Sequence, residues 1–94
     1  MVIHLQLDYL TQWGEYIAVE IDGYANNPVV LSTEDGLHWE TTVKLPHRHA
    51  GQLVTYRYSV WRGEQRIRQE RGAQRHIIHA QSQVESAYFA IDNW

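Results

Sequence analysis

The chain contains no cysteine, so disulfide staples, thiolate nucleophiles and Cys-ligated zinc are excluded, and the hydrophobic core must hold the fold unaided. Absence of cysteine fits a reducing compartment. Only two prolines interrupt the sequence. No run approaches the ~20 consecutive apolar residues needed to span a bilayer, and the alternating start, Met1 to Leu10, has neither the basic nor the apolar region of a signal peptide. The expectation is a cytoplasmic domain with no membrane partner. Charge of one sign is also lacking: eight basic residues stand against eleven acidic ones, for a net charge of −3. A polyanionic partner is disfavoured, because Glu64, Gln69 and Glu70 interrupt the only basic run, Arg57 to Arg75. No segment carries a long helical period.

What is present is a hydrophobic period of two. Ile3, Leu5, Leu7 and Tyr9 alternate with His4, Gln6 and Asp8, which predicts a half-buried strand. Ile17, Val19 and Ile21 alternate with Ala18 and Glu20, and Val29 to Ser32 forms a short apolar piece after Asn26-Asn27-Pro28. Trp39, Thr41, Val43 and Leu45 alternate with Glu40, Thr42 and Lys44, placing Trp39 in the core. Pro46 to Gly51 reads as a loop. Val54, Tyr56, Tyr58 and Val60 form one strand face, opposite Thr55, Arg57, Ser59 and Trp61. Arg62-Gly63-Glu64 reads as a turn, with strands following at Arg66 to Arg68, His76 to His79 and Val84 to Ile91. Seven or eight short strands in 94 residues predict one all-β domain, an immunoglobulin-like antiparallel β-sandwich or open barrel. Such a fold does not specify a function.

Sequence signals for chemistry are few. The histidine pair His47/His49 lies in a loop beside Arg48, and His76/His79 lacks a nearby third ligand, so no metal site is expected. No nucleophile elbow, phosphate loop or dinucleotide fingerprint occurs, and no carboxylates sit in an acid/base motif, so neither catalysis nor a cofactor is expected.

Three clusters carry a resemblance. Tyr9-Leu10-Thr11-Gln12-Trp13-Gly14-Glu15 joins the first two strands; Arg68-Gln69-Glu70-Arg71-Gly72-Ala73-Gln74-Arg75 follows the Tyr56-Arg57-Tyr58 strand; Asp92-Asn93-Trp94 ends the chain. In this order and spacing the chain resembles the family-twenty carbohydrate-binding module, and most closely the first of the tandem copies preceding plant-cytosolic-type 4-α-glucanotransferases and their bacterial relatives. The resemblance implies a non-catalytic module that binds α-glucan (starch, glycogen or maltodextrin) and contacts neighbouring domains of a larger enzyme. The (β/α)₈ catalytic barrel of such enzymes needs about 250 residues.

Sugar rings present apolar C–H faces and a rim of hydroxyls, which exposed aromatics and polar side chains hold together. The resemblance places Trp13 in one sugar site, with Tyr16, Glu34 and Asp35 as polar contacts. The other reading of Trp13 is a plug over one end of the sandwich. A second site is expected around Arg57, Glu70 and Gln74, with Tyr24 as a substitute aromatic and Gln69 where the family has a tryptophan. Trp61, on the strand face shared with Arg57, is expected to restore a stacking surface or to pack against a neighbouring domain. Loss of the family's aromatics at the second site keeps an alternative open, a degenerate module serving as a structural or interdomain docking domain.

Overall fold

The computed structural model describes residues 2–22, 28–44, 53–70, 76–79 and 87–94. The strands are β1 (Val2–Asp8), β2 (Glu15–Ile21), β3 (Val29–Val30), β4 (Ser32–Thr33), β5 (His38–Lys44), β6 (Leu53–Arg62), β7 (Gln65–Gln69), β8 (His76–His79) and β9 (Ala87–Asn93). They form a β-sandwich of two sheets, one in the order β4-β5-β1-β9 and the other β3-β2-β6-β7, with β8 beside β7 on the same edge of β6.

The period of two decides which side chains meet. Ile3, Leu5 and Leu7 of β1, Trp39 and Val43 of β5, Ile17, Val19 and Ile21 of β2, and Val54, Tyr56, Tyr58 and Val60 of β6 fill the space between the sheets. Each fully buried aliphatic side chain of this size stabilises the fold by about 1.5–3 kcal/mol. Trp39 is in the core, as its alternation predicts. Trp94 packs on Tyr9 with ring centroids 4.6 Å apart and closes one margin of the core.

Three features depart from the expectation. The piece expected as one strand at Val29 to Ser32 is divided: β3 joins the second sheet and β4 the first, with buried Leu31 as the crossing point. The sandwich is not wholly antiparallel, because β9 runs parallel to β1. The last strand continues to Asn93, and its register beside β1 faces Tyr88, Ala90 and Asp92 inward and leaves Phe89 and Ile91 outside. The β6–β7 hairpin closes through Gly63 and Glu64, and Gly63 takes a φ of +59°. A two-residue hairpin loop favours that left-handed conformation. The loop expected at residues 46–51 lies outside the described residues. Among the described residues no helix is long and apolar enough to cross a membrane.

Candidate functional site

Trp13 sits at the second position of the turn Gln12-Trp13-Gly14-Glu15, closed by the Glu15 N–H donating to the Gln12 carbonyl at 3.0 Å. Gly14 has φ +86°, the conformation that the third residue of a type II turn requires. The Glu15 side chain returns to accept the Gln12 N–H at 2.7 Å and receives Arg68 at 3.2 Å, while Arg68 also donates to the Tyr9 hydroxyl at 3.0 Å. The Thr11 hydroxyl and N–H both donate to the Gly36 carbonyl, at 2.7 and 2.9 Å, so the turn is tied to the loop over residues 34–37. The backbone beneath Trp13 is therefore anchored on two sides. Its side chain is 100% exposed, which removes the reading of Trp13 as a plug.

Trp13, Glu34 and Asp35 line one depression of about 430 Å³, with Thr11, Thr33 and Gly36 between them. The structure thus brings together three of the four residues expected there. Tyr16 goes elsewhere: it projects from the outer face of β2, and its hydroxyl donates to the Gly63 carbonyl at 2.6 Å.

Asp35 shapes the loop. Its Oδ1 accepts the N–H groups of His38 (2.8 Å) and Leu37 (2.9 Å) and the Thr33 hydroxyl (3.3 Å), and those backbone donors hold its carboxyl below the usual carboxylate range. His38 is shifted upward, chiefly by its hydrogen bond to Asp8 (Nδ1 to Oδ1, 2.8 Å) and then by the charge of Asp35. A raised histidine contributes stability that is complete below about 6.5 and is lost as pH rises through the folded midpoint. Asp8→Asn is expected to move the His38 midpoint, followed by NMR of the ring protons, down toward the ordinary value. An unchanged midpoint would remove Asp8 as the cause.

The second candidate group occupies the outer face of the other sheet. Trp61 pairs across the strands with Tyr16, their rings near-parallel with centroids 6.4 Å apart, and its indole N–H donates to the Ser59 hydroxyl at 2.8 Å. Arg57 and Gln69 share this face: Arg57 lies opposite Glu20, and the Gln69 amide donates to Glu20 at 2.9 Å. Sequence reasoning did not identify Glu20 or its ion pair with Arg66 (2.9 Å) as organisers of this face. Their only signal was their outward parity, on two strands that β6 separates.

Glu70 is removed from the site. Its side chain is buried, taking the Tyr58 N–H at 2.7 Å and lying 2.9 Å from His76 Nε2, because it fills the gap between β7 and β8 along β6. Tyr24 and Gln74 lie outside the described residues. Among the described residues no group of three histidine or acidic side chains is arranged to hold a metal ion. No family model matches the chain, and no curated protein matches it at a significant level.

Proposed function

We propose that this domain binds α-glucan without acting on it, and the observation that carries the reading is Trp13. A fully exposed indole forgoes about 1.5–3 kcal/mol of burial, and the turn that presents it is fixed by hydrogen bonds from both ends. A rigid aromatic platform loses little entropy on binding and suits the apolar face of a sugar ring. Glu34 lies in the same depression to accept hydroxyls. The chemistry favours binding over hydrolysis: a general acid needs a raised carboxyl pKa, whereas Asp35, beside Trp13, is held low. The order of the Thr-Gln-Trp-Gly, Tyr-x-Tyr and Asp-x-Trp segments supports the glucan class and a role anchoring a 4-α-glucanotransferase to starch, glycogen or maltodextrin. Each contact would be shallow, and repeated modules would gain through effective concentration. The Tyr16–Trp61 face, with Arg57 and Gln69, is the secondary contact surface in this reading.

Titration with β-cyclodextrin, followed by tryptophan fluorescence, tests it. Trp13→Ala is expected to weaken binding at least tenfold, about 1.4 kcal/mol, with the thermal midpoint unchanged. Trp61→Ala should weaken it less. Undiminished affinity in Trp13→Ala overturns the assignment, and a large loss in Trp61→Ala alone moves the site to the second sheet.

A further inference from the structure

The depression at Trp13 does not stand alone. It shares Thr33, Glu34 and Asp35 with a second depression of about 420 Å³ that continues over Ser32, His38 and Glu40. That one shares Ser32 and Glu40 with a third, of about 340 Å³, bounded by Gln6, Thr42, His4 and Phe89. Strand register makes the series continuous across the outer face of the β4-β5-β1-β9 sheet. Ser32, Glu40, Gln6 and Ile91 form one cross-strand row, and Thr42, His4 and Phe89 form the next row of the same parity. From the Asp8–His38 row to the His4–Thr42 row is about 13 Å at ordinary strand rise, and Trp13 lies on the far side of the loop over residues 34–37.

The far end has its own aromatic platform. Phe89 is 73% exposed, yet its ring is held by stacking on His4, with centroids 4.4 Å apart and planes 10° from parallel. His4 is fixed in turn by a 3.0 Å bond between Nδ1 and the Thr42 hydroxyl. Two positioned aromatics therefore flank a polar stretch. In that stretch, among the described residues, no hydrogen bond engages the Gln6 amide or the Glu40 carboxylate. Carboxylates at Glu34 and Glu40 accept from hydroxyls and repel phosphate or sulfate, and among the described residues no lysine or arginine lines the three depressions. The chemistry fits a neutral, polyhydroxylated chain.

We infer that the outer face of this sheet is a track for a chain of sugar residues, running from Trp13 past Ser32, Glu40 and Gln6 to the Phe89–His4 stack, with Phe89 as the second stacking platform. The inference rests on the reading of Trp13 as a sugar contact and extends it from one ring to an oligosaccharide.

Chain length separates the two. NMR titration with maltotriose is expected to shift Trp13 and the amides of residues 34–36 only. Maltoheptaose is expected to shift His4, Thr42 and Phe89 as well, and to bind at least tenfold more tightly. Phe89→Ala, at an exposed position, should keep maltotriose affinity and the thermal midpoint, while maltoheptaose falls to the affinity of the trisaccharide. No shift with either sugar overturns the Trp13 reading and the track together. Equal affinities, with shifts confined to Trp13 and its loop, overturn the track and leave the Trp13 reading standing. Undiminished maltoheptaose binding in Phe89→Ala also overturns the track and assigns the exposed ring to a protein neighbour.

Discussion

Replacing Glu70 with alanine should destabilise the domain by roughly 3–5 kcal/mol, the combined cost of a stranded buried donor and a lost carboxylate–imidazole hydrogen bond. The side chain has no exposed surface, and both carboxyl oxygens are engaged. Oε1 takes the Tyr58 N–H at 2.7 Å, and Oε2 lies 2.9 Å from His76 Nε2. The Glu70 N–H itself bonds to the Tyr58 carbonyl at 3.0 Å, so one residue bridges β6 where β7 and β8 leave a gap. Truncation strands the Tyr58 N–H, which alone costs about 1–3 kcal/mol. It also leaves His76, stacked 4.9 Å from the Tyr56 ring, without its partner on the β7 side. Against a total stability of about 5–15 kcal/mol for a domain, that loss would bring the variant near its unfolding midpoint. Glu70→Gln keeps an acceptor for Tyr58 and should cost less than half as much. Urea unfolding of the three proteins gives the comparison directly. A loss under about 1 kcal/mol for the alanine variant would show that Glu70 does not hold this seam.

The same residue shows where sequence reasoning reached its limit. Parity along each strand placed Tyr56, Tyr58 and Val60 inside and Arg57 and Trp61 outside, because side-chain direction follows from backbone pleat alone. Turn chemistry at Trp13-Gly14 likewise placed an aromatic at a loop tip, since few residues other than glycine adopt the φ of Gly14 comfortably. Burial of Glu70 had no such local signal. It depends on β8 pairing with β6 and on a histidine six positions later, both set by tertiary assembly. Asp35 illustrates the same limit in a loop: a carboxylate beside Gly36 reads equally as ligand contact or turn staple, and only the Leu37 and His38 donors decide for the staple. The parallel placement of β9 beside β1, which creates the Phe89–His4 stack, was not legible either, because strand order is invisible to period.

At high pH the domain should unfold in step with two of its tyrosines. Tyr56 and Tyr58 are buried at 2% and 0% exposure, and both hydroxyls donate to Asp92 Oδ2, at 2.7 and 2.6 Å. Loss of solvent first, and the Asp92 carboxylate second, push both phenols above the ordinary tyrosine value, with Glu70 facing the same pair. The folded state therefore keeps protons that the unfolded chain releases above about pH 10. Stability from these groups is complete below that value and falls as pH rises beyond it, by about 1.4 kcal/mol per tyrosine for each pH unit. Two tyrosines acting together would remove roughly 5 kcal/mol by about pH 12, enough to unfold a domain of ordinary stability. Phenolate absorbance followed beside circular dichroism is expected to show Tyr56 and Tyr58 ionising only within the unfolding transition. Tyr58→Phe should halve the slope of stability against pH while changing its absolute level separately, since the slope counts protons and not contacts. If all six tyrosines ionise reversibly with the β-sheet signal intact, the Asp92 pair is open to solvent and β9 does not seal this side of the core.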